Sequence, residues 1–259
     1  MANPTTTVTT PARTPRRGGI LSVVPTIQVD RIGAASAVVW DAHLCSRMQD
    51  APGLCWGFDT GATVKDDFDT PEWATTGEPF GGYFGVECFL NTTDYEALAR
   101  EGLEQAEAFY IEREMQLQDF VSGTAINLGA STSIVEAIAN AEVYADTHYR
   151  DLAPVVEVGY NGRPIIWLNR GDAVRAAAAF AIFPDREGNL VTANGTPVVA
   201  SGEFLKGQVW VSGQAFLFES AITVSRAILP TTNREMAIAE RVYALGFDCL
   251  APAFTTVTP

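Results

Sequence analysis

Residues 233–247 read NREMAIAERVYALGF, and whether they form a helix or a strand decides how the chain folds. Hydrophobic period alone leaves the run ambiguous between the two. The residues before it are plainer. Short apolar runs separated by polar turns predict strands at Leu190–Thr192, Thr196–Ala200, Gln208–Val211, Ala215–Glu219 and Ala221–Ile228, with Asn194-Gly195 making a tight turn. The C-terminal part of the chain is therefore largely β.

Further upstream, helical signals take over. Thr93-Asp94-Tyr95-Glu96 has capping-box spacing. Apolar contacts at Tyr95, Leu98, Ala99, Leu103, Ala106, Tyr110, Met115 and Leu117 then predict one long helix over Asp94–Asp119, about 39 Å at 1.5 Å per residue. Its other side carries Glu101, Glu104, Glu107, Glu112 and Glu114, a carboxylate row that reads as a solvated helix face. After the break FVSGTAINLGAST, a second helix is expected at Ser133–Tyr149. Asn161-Gly162 between apolar runs signals a hairpin, and a short alanine-rich helix should begin near Asp172.

Between Gly53 and Gly85, seven glycines and two prolines punctuate an acidic stretch without helical period, so a long loop or hairpin is expected there. It contains Asp59-Thr60-Gly61, the catalytic letters of aspartic proteases. That chemistry needs two carboxylates sharing one proton, and the chain has one such motif. An aspartic protease is thus a weak alternative, and Asp59 and Thr60 read better as a local turn that Gly61 relieves. Asp66, Asp67 and Asp69 lack the spacing of a calcium loop and read as a solvated tip. No G-x-S-x-G, H-E-x-x-H or Walker-type pattern occurs.

Composition narrows the function further. The chain has 259 residues, 47% hydrophobic and 19% charged, with a net charge of −14. It is large enough for a real core. No apolar run is long enough to cross a bilayer, and no membrane role or secretory leader is expected. Acidity of this degree argues against a nucleic-acid-reading surface. The exception is the Thr/Pro/Gly-rich start, where Arg13, Arg16 and Arg17 are the basic residues of a segment too poor in apolar side chains to fold alone. Residues 1–18 in isolation read as a disordered tail; the alternative is an arm that becomes ordered on a neighbouring subunit or lies near an anionic partner. Four scattered cysteines and two histidines offer no metal spacing, so no metal and no cofactor are expected.

The order of these parts, together with the helix end EREMQLQDFVSGTA and the run ESAITVSRAILPTTNREMAIAERVYALGFDCLAPAF (219–254), resembles the major capsid proteins of tailed bacteriophages. Their fold is of the Hong Kong 97 type. The resemblance covers nearly the whole chain and implies an α+β fold with an N-terminal arm at 1–50, an E-loop hairpin at 51–90 and a spine helix of the P-domain at 91–122. The main part of an α/β A-domain would follow at 123–202, P-domain strands at 203–240, and a return to the A-domain at 241–259. By resemblance, 233–247 is a long strand.

The implied function is a structural capsid subunit that self-assembles into pentamers and hexamers around double-stranded DNA, bound without sequence specificity. Its partners would be a separate scaffolding protein, a portal and a cement protein. Assembly in the host cytoplasm and residence in the virion capsid follow. Asp59, Lys65, Asp66, Asp67 and Asp69 would lie in the part of the E-loop that touches a neighbouring subunit. Some members of the family join an E-loop lysine to a P-domain asparagine by an autocatalytic isopeptide bond. The matching residues here are Lys65 and Asn233, with Glu240 as the base that accepts the amine proton from an apolar pocket. The plainer reading is a surface lysine, a turn-capping Asn and a Glu paired with Arg241 or another arginine. An encapsulin-like nanocompartment shell is the alternative within the same fold.

Overall fold

The computed structural model describes residues 17–30, 32, 38–41, 74–77, 79–89, 94–116, 120, 125–147, 163–229, 231, 234–247 and 252–258. Along the chain the elements are α1 (Ile20–Val23), β1 (Thr26–Gln28), β2 (Val38–Asp41), β3 (Ala74–Gly77), β4 (Phe80–Phe89), α2 (Tyr95–Met115), β5 (Ile126–Ser131) and α3 (Ile134–Thr147). They continue with β6 (Ile165–Asn169), α4 (Arg170–Ala178), β7 (Ile182–Pro184), β8 (Leu190–Thr192), β9 (Pro197–Ser201), β10 (Gln208–Ser212), β11 (Ala215–Glu219), β12 (Thr223–Leu229), β13 (Arg234–Phe247) and β14 (Ala253–Val257).

The ambiguous run is β13, a strand of 14 residues around which one sheet is organised. One side of β13 pairs with β4 over Arg234↔Phe89 to Tyr243↔Phe80. Its other side takes β12 from Arg234 to Glu240 and β11 from Tyr243 to Phe247, and β1 adds parallel to β11. The strand conformation follows from burial that period 2 provides. Ala237 and Ala239 face Tyr95, Ala99 and Leu103 of α2, and their small side chains let the helix lie close to the sheet. Farther along, Tyr243 and Leu245 meet Ile111 and Met115 of the same helix.

Two glycines make this helix-on-sheet contact sterically feasible. A Cβ on Gly102 of α2 would stand 2.2 Å from Phe84 Cε1 of β4, so the Phe84 ring occupies the space that any other residue would fill. On Gly82 of β4, a Cβ would meet the Tyr110 ring at 3.1 Å and the Tyr243 ring at 3.3 Å. The Tyr110 hydroxyl donates to the Gly81 carbonyl at 2.6 Å. Gly82 thus serves a strand under a helix, at the end of the stretch that the sequence predicts as a long loop or hairpin.

The second sheet has seven strands in the order β5-β14-β10-β6-β9-β8-β7. On one face α3 and α4 cover Ile166, Leu168, Val198, Ala200, Val209 and Val211. On the other, Ile165, Trp167, Val199 and Trp210 join Phe120, Phe204, Leu217 and Tyr243, so this core is shared between the two sheets. β10 lies between β14 and β6, in the sheet built mainly by 123–202 rather than with the other strands of 203–240. Burial on both faces explains it: Val209 and Val211 are buried toward the helices and Trp210 toward Phe120. Likewise β13 runs past Glu240 in its own sheet to Phe247.

Helix ends match their local chemistry. Asp94, not Thr93, is the N-cap of α2, accepting from Ala97 N at 3.0 Å, and Gln116 after its last residue Met115 is still helical in backbone; the expected end at Asp119 lies outside the described residues. The α3 start has Ser133 Oγ accepting from Glu136 N at 3.2 Å while Glu136 accepts from Thr132 N at 2.6 Å. The hydrogen bond from the Thr132 hydroxyl at 2.6 Å, and after it the one from the Thr132 amide, hold the exposed Glu136 carboxyl below its ordinary range. The Asn194-Gly195 turn is present, with Gly195 at φ 86° donating to the Thr192 carbonyl at 3.0 Å. Asn161-Gly162 lies outside the described residues.

Candidate functional site

The long helix is where sequence and structure differ most usefully. Of the five glutamates expected on a solvated face, Glu112 is fully buried and Glu107 nearly so. Leu98, by contrast, is exposed. The chain thus turns two carboxylates of α2 inward and uses them as ties.

Glu112 binds two other elements at once. Its Oε1 accepts from Ile20 N at 3.0 Å and its Oε2 from Ser201 Oγ at 2.6 Å. It therefore joins the end of the N-terminal segment, through α1, to α2 and to β9 of the seven-stranded sheet. Two further contacts fix the same segment: Ala200 N donates to the Gly18 carbonyl at 2.8 Å, and Leu217 N to Pro25 at 3.0 Å. Arg17 lies against Gly188 of the Asp185–Gly188 turn.

Glu107 belongs to a cluster spread over four elements. Arg241 Nη1 donates to Glu107 Oε2 at 3.0 Å and to Glu219 Oε2 at 3.2 Å. The Tyr243 hydroxyl donates to Glu107 Oε2 at 3.0 Å, and the Gln28 amide donates to Glu219 Oε1. Burial raises the Glu107 carboxyl above its usual range, against the lowering effects of Arg241 and of the Tyr243 hydrogen bond; neighbouring Glu219 raises it further. Burial and the adjoining Glu107 carboxylate push the Tyr243 phenol upward.

Of the residues proposed for crosslinking, only Glu240 is described. It is exposed, opposite Thr223 of β12 and Tyr83 of β4. Tyr83 is itself 75% exposed, so this chain alone supplies Glu240 with no closed apolar pocket. Arg241, its expected partner in the plainer reading, is engaged instead by Glu107 and Glu219, because adjacent residues of a strand point to opposite faces. Asp59, Lys65, Asp66, Asp67, Asp69, Asn233, Arg13 and Arg16 lie outside the described residues.

Exposed apolar side chains stand on both sheets' outskirts: Tyr83 on β4, Ile228 on β12, Phe109 on α2, Val143 on α3 and Val174 on α4. Phe180, just after α4, is 77% exposed at φ 57°, a left-handed backbone that is uncommon for a bulky residue. Ala181 N donates to the Ala176 carbonyl there at 2.9 Å, the helix-ending bond that glycine normally accompanies. Among the described residues no group of His, Cys, Asp and Glu is placed to hold a metal ion, and no helix is long and apolar enough to cross a membrane.

No known protein-family profile matches the chain, and no curated protein matches it in sequence. Solved structures do. The capsid of an empty GTA particle superposes with a TM-score of 0.60 at 13% identity, covering 100% of this chain and 96% of the other. The chain has the Hong Kong 97 type capsid fold. A Microbacterium phage, Oxtober96, aligns at 0.52 with 9% identity over 98% and 96%. The SrpI encapsulin from Synechococcus elongatus aligns at 0.55 with 12% identity over 98% and 92%. The capsid fold accounts for the order of parts: a long helix crossing a sheet built on one long strand, beside a mixed sheet carrying two helices. The buried roles of Glu107 and Glu112 could have been sought only through their spacing, since both lie near the apolar stripe of Leu103, Tyr110 and Met115.

Proposed function

We propose that this protein is the structural subunit of an icosahedral viral capsid, assembling as pentamers and hexamers that enclose double-stranded DNA. One observation carries the reading: the whole chain, not a part of it, overlays a capsid subunit at a TM-score of 0.60. The exposed Tyr83, Phe180, Val174 and Ile228 support it, since a shell subunit presents apolar surface for its neighbours to cover. In this reading α2 is the spine, β12 and β13 form P-domain strands, and the seven-stranded sheet is the A-domain. Residues 1–50 are the arm and 51–90 the E-loop, with Asp59, Lys65, Asp66, Asp67 and Asp69 touching a neighbour. The net charge of −14 suits a wall that holds DNA without gripping it. A separate scaffolding protein, a portal and a cement protein complete the particle, assembled in the host cytoplasm.

The encapsulin likeness at 0.55 favours a second reading, a protein-filled nanocompartment. Electron microscopy of particles purified from their natural source separates the two: DNA-filled particles bearing a tail support the first, whereas DNA-free shells with protein cargo replace it with the second.

Crosslinking belongs to the same proposal. The Lys65 amine would attack the Asn233 carboxamide carbon of another copy, with Glu240 taking the amine proton in a pocket that the neighbour closes and passing it to the carboxamide nitrogen, which leaves as ammonia. Denaturing electrophoresis of assembled shells is expected to show a ladder of multimers that Lys65→Arg reduces to the 27.8 kDa chain. A single band from the wild type excludes the bond.

A further inference from the structure

Two carboxylates share one guanidinium where α2 crosses β11 and β13. Glu107, Glu219 and Arg241 have side chains only 11%, 9% and 13% exposed, and Arg241 Nε is buried without a partner. With both acids ionised, the cluster carries a net negative charge where little water reaches it. A proton on Glu107 leaves a balanced Arg241–Glu219 pair. The groups facing Glu107 are few: Arg241 and Tyr243 from β13, and Glu219 from β11. β1 brings only the neutral Gln28, and the β4 residues paired with Arg241–Tyr243 are Gly82, Gly81 and Phe80, which do not ionise.

We propose that Glu107 is a proton-sensitive tie between the long helix and the sheet beneath it, closed when the carboxyl is protonated and loosened when it is ionised. Arg241 and Glu219 stay paired in both states, so the proton decides only whether α2 is held by a neutral carboxyl or strained by a poorly hydrated charge. The direction follows from linkage. Burial raises the Glu107 carboxyl above its ordinary value, so the closed state binds the proton more tightly than an opened one in which Glu107 meets water. Its contribution to holding α2 is full below the ordinary carboxylate range and is lost as pH climbs through the raised value. This device belongs to the chain itself and stands whether or not the capsid reading does.

The test is hydrogen–deuterium exchange of the full-length protein between pH 4 and 8, corrected for intrinsic rates and read on peptides from α2. The opening constant of the segment around Glu107 is expected to rise with pH, about tenfold for each unit by which burial raises the carboxyl. In Glu107→Gln the rise should vanish. In Glu219→Gln it should shrink, because the second negative charge no longer lifts Glu107; this variant carries the test if Glu107→Gln does not fold. A flat wild-type profile, or the wild-type rise persisting in either variant, overturns the proposal.

Discussion

Trp167→Ala is expected to lower the stability of the subunit by about 3–5 kcal/mol, the range for emptying the space of a fully buried large aromatic. Trp167 is fully buried at the centre of the core shared by the two sheets. Its ring meets Phe120 at 5.9 Å, Phe204 at 6.1 Å and Phe247 at 6.4 Å between centroids, all edge-on or tilted toward edge-on. Its Nε1 donates to Ser212 Oγ at 2.9 Å. Phe247 belongs to β13 and Phe204 follows β9, so the loss would loosen the sheets from each other as well as the strand that carries the ring. Trp167→Phe should cost far less, since Ser212 Oγ keeps the Gly213 carbonyl as an acceptor at 2.9 Å and most of the ring volume survives. Urea denaturation of unassembled protein measures both: the midpoint should fall steeply for alanine and slightly for phenylalanine. Equal midpoints would show that the ring is not a keystone of this core.

Glu112→Ala is expected to cost about 3 kcal/mol or more. The change removes a carboxylate with no exposed surface and strands two buried donors, Ile20 N and Ser201 Oγ, each worth about 1–3 kcal/mol when left unpaired. The damage should be local as well as global: the segment from Gly18 to Pro25 loses the tie to α2, and proteolysis there should accelerate first. Glu112→Gln retains one acceptor but points an amide donor at the other partner, so it should fall between the wild type and alanine. A Glu112→Ala protein with wild-type urea midpoint and protease resistance would refute the role assigned to this carboxylate.

Much of the fold is legible in the sequence where local chemistry and burial agree. Leu190–Thr192 and Ala215–Glu219 have the predicted bounds, because alternating or continuous apolar runs between turn residues have one stable pairing. The run at 233–247 is different: its alanines suit a helix by propensity, and only contact with α2 makes their small size a reason for a strand. Tertiary packing overrides local preference there. The same holds for Gly82, a loop signal in isolation that sits in a strand where the Tyr110 and Tyr243 rings leave no room for a Cβ. α1, β1 and β7 are too short to announce themselves.

Ties within the chain were the least legible feature. A glutamate on a helix is usually solvated, and nothing local to Glu107 or Glu112 says that Arg241, Ser201 and the Ile20 amide will stand opposite. Those partners are 89 to 134 positions away in sequence. Likewise, the exposure of Glu240 depends on which face of β13 meets α2, a register that the fold alone decides.

The most direct test of the account is electron microscopy of the expressed full-length protein, alone and with its scaffolding partner if one is encoded beside it. Closed icosahedral shells built of pentamers and hexamers, in which this chain forms the wall, are the predicted result. A protein that stays monomeric under every assembly condition, and cleaves peptides at acidic pH with activity lost in Asp59→Asn, would contradict it.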